Sequence, residues 1–430
     1  MGILSSMWTG VSGMTAQGEA LGVTADNIAN SNTTGFKASR AEFQDIMSRS
    51  LRGIDGGNQL GRGVRIGAVN PIISQGNLDH TERATDLGIN GQGYFQVKGS
   101  EGVGYTRDGS FHFDKDGFLV TNDKQRIQCY QANEKGKIET KMGDMKFPNA
   151  LVNASQTETI KLDLNLDSRA IASGKKFDAK NPYKTSDYAT AVEIYDSQGA
   201  KHILNVFFNK GENREWTYRG MLDGKDIEGG APEGQQLAQA VTGKLSFSED
   251  GLLKSQEQTD SNFNFTGGAK QDQKIKINFG DDIASGGKGL EGTKQFGKES
   301  DIISWNQDGY SAGMVTGLSF SDEGILTASY SNGQVLDLGQ IVLAKFENPE
   351  ALLKVGGNLF KQSRDSGEAS VGAARMSGRG SLMAKSLERS NVDLASEFVQ
   401  MITNQRAFQA NSKTITTSDE LMNEVIQLKR

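Results

Sequence analysis

The sequence predicts a multi-domain, mainly β protein whose two ends are α-helical. Three observations carry that expectation. Near both termini the apolar residues recur at alternating intervals of three and four, which is helical spacing. Between roughly 70 and 370 they alternate instead in short runs, the period of a half-buried strand. Those runs meet at Asp-Gly, Glu-Gly and Gln-Gly pairs, the chemistry of tight hairpin turns. With 53 Gly and only 5 Pro in 430 residues, the composition suits many turns around modest cores.

The N-terminal stripe is Leu4, Met7, Val11, Met14, Leu21, Ala25 and Ile28, with Gly18 filling the one gap. It runs into "TADNIANSNTTGFK" at 24–37, a cluster of small amides and hydroxyls that ends the helix. The strands follow: "YFQV", "FHFDKDGFLV", "AVEIYDSQGAKHILNVFF", "KLSFSEDGLL" and "LSFSDEGILTASY". Polar stretches at 131–190, 209–243 and 254–300 read as long loops or a less regular inserted domain. At the C-terminus Leu394, Phe398, Met401, Phe408, Ile415, Met422 and Ile426 share one stripe, with Gln405, Ser412 and Asp419 at the intervening sites. Ala395, Val399 and Ile402 lie beside it, and Ser390, Asn391 and Asp393 supply N-cap chemistry. This predicts a long final helix running to Arg430.

Neither terminal stripe belongs to a bundle encoded nearby. Two readings are open on pattern alone. The termini pair within one molecule and pack on the β body as ordinary core, or they form a coiled-coil stalk whose remaining surface is buried by neighbouring subunits. Gly10, Gly13, Gly18, Ala25 and Ala29 favour the second, because small residues permit close helix approach.

Composition narrows the function. A formal charge of −6 and an isoelectric point near 5.4 argue against nucleic acid as a partner. No apolar run reaches the length of a membrane span, so no membrane insertion is expected. The N-terminus lacks the basic and continuous apolar regions of a secretory signal. "MGILSS" satisfies the loose myristoylation pattern, but a flexible start explains the glycine. One cysteine excludes an intrachain disulfide framework. These features fit a cytosolic chain, or one exported without a cleaved signal.

Candidate chemistry is sparse. His80, His112 and His202 are far apart, with no Cys or carboxylate at ligand spacing, so no metal site is expected. "GKGLEG" at 287–292 matches a dinucleotide fingerprint literally, but a polar stretch follows it where a helix is required. "DKDG" at 114–117 begins like a calcium loop and lacks the remaining ligands, so a hairpin turn is expected. No Walker motif occurs. Cys129, between Ile127 and Tyr130, reads as a small buried hydrophobe. No catalytic residue or cofactor is expected, which points to a structural or interaction protein and away from an enzyme.

Longer stretches carry a resemblance. "TADNIANSNTTGFKASRAEFQD" resembles the N-terminal signature of the bacterial flagellar rod and hook axial proteins, and "SNVDLASEFVQMITNQRAFQANSKTITTSDELMNEVIQL" resembles their C-terminal signature. "GRGVRIGAVNPIISQGNLDHTERATDLGINGQGYFQV" resembles the segment leading into the family's first outer domain. Residues 308–360 resemble the return strands of the hook branch in particular. The resemblance implies four parts: a terminal coiled-coil domain of 1–30 with 391–430, and a connecting segment of 31–71 with 373–390. A β-rich domain of 72–145 with 308–372 and an inserted β-rich outer domain at 146–307 follow.

It further implies a subunit that leaves the cell through the flagellar type III export apparatus and polymerises outside it, in the hook. The tube would be a universal joint between rod and filament. Its partners would be further copies of itself, the distal rod protein, the hook cap and the hook–filament junction proteins. The implied subunit interface comprises Met7, Val11, Met14, Leu21, Ile28, Asn30 and Asn32, with Leu394, Phe398, Met401, Phe408, Ile415, Met422 and Ile426. On this reading 24–37 is the junction where the inner helix turns outwards, with Asn30 and Asn32 capping carbonyls and Gly35 tolerating positive φ. Spirochaete members link a Cys to a Lys of the next subunit, but "RIQCYQA" does not match that local sequence. Distal rod proteins are the close alternative; they resemble the same termini and lack the inserted domain. An enzyme or lectin on the β body is the distant one, and Trp216 and Trp305 are isolated for a sugar site.

Overall fold

In the computed structural model, residues 2–46, 49–50, 59–133, 136–147, 151–171, 177–228, 237–261 and 263–428 are described. The chain is mostly β-sheet, with a helix at each end: Gly2–Ala29 and Leu394–Leu428. The predicted end of the last helix, Arg430, lies outside the described residues. Asp393 starts that helix as expected, its carboxylate accepting from the Ala395 N–H at 2.9 Å and the Ser396 hydroxyl at 3.1 Å.

The chain divides into two units, 1–148 with 317–328 and 335–430, and 149–316 with 329–334. In the first, the long strand Val335–Lys345 is central. It pairs antiparallel with Arg126–Ala132, Tyr94–Gly99 and Ser370–Ala373. Strand alternation sends neighbouring side chains to opposite faces, so this sheet is buried on both. Phe95, Val97, Ile127, Cys129, Ile341 and Leu343 fill one core. Tyr94, Tyr105, Ala344, Phe346 and Phe360 fill a smaller one behind it.

Two short ladders then bring the chain's ends together. Leu87–Asn90 pairs with Ser381–Ala384, and Leu78–His80 pairs with Ser386–Glu388. After the N-terminal helix, Ser39–Asp45 and Val64–Pro71 form a two-stranded antiparallel ladder with a bulge at Glu42/Phe43.

The second unit is a five-stranded antiparallel meander, Tyr188–Tyr195, Lys201–Lys210, Glu215–Asp223, Leu237–Phe247 and Leu253–Ser261. A three-stranded sheet accompanies it, with Thr159–Asn165 between Lys276–Asn278 and Asp301–Gln307. Trp216, Phe208, Phe263 and Phe279 are fully buried in its core.

The polar stretches hold more strand than their composition suggests. Glu215–Asp223 falls within 209–243, and Leu253–Ser261 lies mostly within 254–300. A solvated sheet face carries polar side chains, so "SQEQTDS" extends a ladder without apolar alternation. The predicted turns are present: Gly199 after Gln198 and Gly324 after Glu323 both have φ +81°. "DKDG" is a turn closed by its own aspartate, since Asp114 Oδ1 accepts from the N–H groups of Asp116 at 2.9 Å and Phe118 at 2.8 Å.

Candidate functional site

The N-terminal helix ends where the sequence places its amides. The Asn30 side chain donates to the Asp26 carbonyl at 3.0 Å and accepts from the Thr33 hydroxyl at 3.0 Å. Asn32 does not cap; its Oδ1 accepts from Arg389 at 3.3 Å. Gly35 has φ +66°, and its N–H donates to the Glu388 carbonyl at 2.8 Å. A Cβ there would stand 2.6 Å from backbone atoms of Arg107 and Asp108, so only glycine fits.

Beneath this turn lies a buried ionic cluster. Glu388 Oε1 accepts from Lys37 Nζ at 2.5 Å and from the Gly76 N–H at 2.9 Å, while Oε2 accepts from Arg107 Nη1 at 3.0 Å. Lys37 also donates to the Ser74 carbonyl at 2.7 Å, and Arg107 to the Gly91 carbonyl at 2.8 Å. Burial is the largest influence on the Lys37 ammonium and pulls its pKa below the ordinary lysine value, with Glu388 opposing. Burial likewise pushes the Tyr94 phenol up to about 12, with opposing effects from the Arg107 and Glu388 charges. The cluster ties the segment that follows the first helix, the β body and the strand leading into the last helix to one carboxylate.

Two asparagines finish the joint. Asn27, buried in the first helix, donates to the Ser39 carbonyl at 2.8 Å and to Glu397 at 3.1 Å, and accepts from the Ser39 N–H at 2.9 Å. Asn391 accepts from the Ala38 N–H at 2.8 Å and donates to the Ile72 carbonyl at 2.8 Å.

From this joint the two helices run side by side, antiparallel. The contact between them is small and polar. Asn404 donates to the Thr24 hydroxyl at 3.4 Å, and the hydroxyls of Ser6 and Ser418 stand 3.2 Å apart. Ala16, Ala20, Thr24, Asn27, Asn404 and Ser418 are buried. The predicted interface residues flank this contact. Met7, Val11, Met14, Leu21, Ile28, Asn30, Met401, Ile415 and Met422 are half-buried, while Asn32, Leu394, Phe398, Phe408 and Ile426 are exposed. Trp8 at 67%, Val399 at 65% and Ile402 at 50% are also open to solvent. Each helix thus spends mainly small residues on its partner, with Ile415 against Gly10 the large exception, and presents Trp8, Phe398, Val399 and Ile402 elsewhere.

Sequence reasoning missed the ionic cluster, because its members are scattered along the chain. It passed over the polar seam because it followed the large apolar residues. A signal was present, since Ser6, Gly13, Ala20 and Asn27 recur every seventh residue, as do Glu397, Asn404, Asn411 and Ser418.

Over an alignment 467 positions long the chain is 32% identical to the flagellar hook protein FlgE of Treponema pallidum, with 100% of both chains covered. This chain belongs to the flagellar hook protein family. The hook protein FlgE of Salmonella typhimurium is 32% identical over 97% of this chain and 98% of its own. That of Borreliella burgdorferi is 32% identical over 99% and 100%. Along the hook chain, residues 7–37 match the flagella basal body rod protein family and 88–168 the flagellar hook protein FlgE/F/G D1 domain. Residues 165–310 match the flagellar basal body protein FlaE D2 domain, and 383–428 the flagellar basal body rod FlgEFG protein C-terminal family. The fold is similar to a crystal structure of Helicobacter pylori flagellar hook protein FlgE2, with a TM-score of 0.54 at 13% identity, covering 72% of this chain and 100% of that one. The chain is a structural subunit of the flagellar hook.

Proposed function

We propose that this hook subunit self-assembles into a curved, flexible tube that acts as a universal joint between the rod and the filament. The observation that carries this is the outward apolar surface of the terminal helices. Burying one such side chain is worth about 1.5–3 kcal/mol, and among the described residues none covers Trp8, Val399, Ile402 or Ile426 well. Further copies of the chain are the natural cover, and a contact between unlike patches that does not close on itself grows into a helix. Met7, Val11, Met14, Leu21, Ile28, Asn30 and Asn32, with Leu394, Phe398, Met401, Phe408, Ile415, Met422 and Ile426, would form this interface. The helix pair would act as a coiled coil lining the tube.

On this reading 1–30 with 391–430 is the assembly domain, 31–71 with 373–390 connects it outwards, and 72–145 with 308–372 and 146–307 are outer domains. On this reading the protein works outside the cell, between the distal rod protein and the hook–filament junction proteins, with the hook cap at the growing end. Outer domains would slide on weak, hydrated contacts as the tube bends. Negative-stain images of tubes grown from the purified chain test the proposal. Curved, bendable tubes are expected. Straight, rigid ones would favour a rod component instead.

A further inference from the structure

The polar seam between the terminal helices has a seven-residue repeat on both sides. Reading along the pair, Ser6 stands opposite Ser418, Gly13 opposite Asn411, and Asn27 opposite Glu397. At the second of these positions a Cβ on Gly13 would fall 2.7 Å from Asn411 Nδ2 and 2.8 Å from its Cγ. One turn away, a Cβ on Gly10 would fall 3.0 Å from Ile415 Cγ1. The Asn411 amide therefore occupies the space that a side chain at position 13 would need.

We infer that Gly13 and Asn411 are register-determining residues, a notch and key that admit one alignment of the two terminal helices. The inference rests on the helix pair acting as the assembly domain. A seven-residue slip preserves the facing surfaces of two helices, so heptad spacing alone cannot forbid it. Here a slip sets Asn411 against Ser6 in one direction and Ala20 in the other, and either Cβ fills the notch. One slip also drives the Glu397 carboxylate against Ala20, and the other sets Asn27 against Asn404, so both break the Asn27–Glu397 hydrogen bond. Apolar flanks would tolerate every register about equally; the polar seam tolerates one. Asn411 is half-buried, and a polar asparagine in the seam of paired helices is a known device for fixing alignment at some cost in stability. In a polymer it has a further consequence, because a slipped subunit would displace its outer apolar residues by about 10 Å along the tube.

Disulfide trapping in tubes of the full-length chain tests this. Ser6→Cys with Ser418→Cys reports the observed register, and Ser6→Cys with Val425→Cys reports a slip of one heptad. In the otherwise unaltered chain only the first pair should cross-link, since the second is about one heptad too distant for a disulfide. Gly13→Ala should lower cross-linking of the first pair by about tenfold, as an overpacked contact does. Asn411→Ala, which removes atoms and adds none, should let the second pair cross-link as well. The double variant should recover the first cross-link while keeping the second. Alanine normally favours a helix over glycine, so a Gly13→Ala chain with equal or greater cross-linking would overturn the inference. So would an Asn411→Ala chain held in the observed register alone. Failure of the first pair to cross-link in the unaltered background would remove the helix pairing itself.

Discussion

Lys37 and Glu388, 351 positions apart in the chain, form a buried ion pair with an N–O distance of 2.5 Å. Arg107 shares the same carboxylate from the other side, so two buried cations meet one anion. Glu388→Gln would leave both cations without a counter-charge and should destabilise the first unit by roughly 3–5 kcal/mol. Lys37→Met should cost less, since it keeps the Arg107–Glu388 pair and removes the excess positive charge. Urea midpoints of the two variants, followed by circular dichroism, give the order. Equal midpoints would mean that the carboxylate does not organise the cluster.

Gly35→Ala should damage the junction more than a surface substitution. Its positive φ costs about 1 kcal/mol for alanine, and the added Cβ meets the fixed backbone of Arg107 and Asp108 at 2.6 Å. A melting temperature lowered by several degrees is expected, together with fewer tubes at equal protein concentration. An unchanged melting temperature would show that the turn can open without loss.

The outward residues of the last helix should matter to assembly alone. Val399→Ser with Ile402→Ser should leave the stability of the isolated chain within about 0.5 kcal/mol, because both side chains are already solvated. Tube formation should fall steeply, as seen by sedimentation and electron microscopy. Normal tubes from this variant would place the apolar interface elsewhere.

Cys129 gives a pH dependence with a definite sign. Burial pushes its thiol from 9.0 to about 12, so the folded chain holds a proton there that the unfolded chain releases. Its contribution is complete below pH 9 and is lost as pH rises through 12. Cys129→Ala should therefore lose about 1 kcal/mol at neutral pH through the small cavity, and should show a shallower alkaline decline between pH 9 and 12. The check is the urea midpoint measured against pH. A decline identical in both chains would mean that the thiol ionises without unfolding.

Deleting 146–307 with a short linker should leave a chain that still forms tubes, with altered or lost curvature. In the proposed tube the inserted segment would lie at the largest radius, where contacts have the greatest leverage over curvature. A folded deletion variant that no longer polymerises would place the inserted segment within the assembly core.

Periodicity alone determined that both ends are helical and that the middle is strand and turn. Spacing is a local property, and each element's period is written in its own residues. The helix end at Asn30 and the glycine at position 35 were legible for the same reason, since capping and positive φ are local needs. Only the tertiary structure decided which face of each helix meets the other. Large apolar residues marked the stripe from Met7 to Ile28, yet the chain spends Gly13, Thr24 and Asn404 on its internal contact. The sequence does not say which stripe a helix turns towards its partner, because the small polar stripe and the large apolar one recur with the same helical period. Lys37, Arg107 and Glu388 were invisible for a different reason. Each is an ordinary charge in its own segment, and the ladders that join Leu78–His80 to Ser386–Glu388 and Leu87–Asn90 to Ser381–Ala384 help bring them to one place.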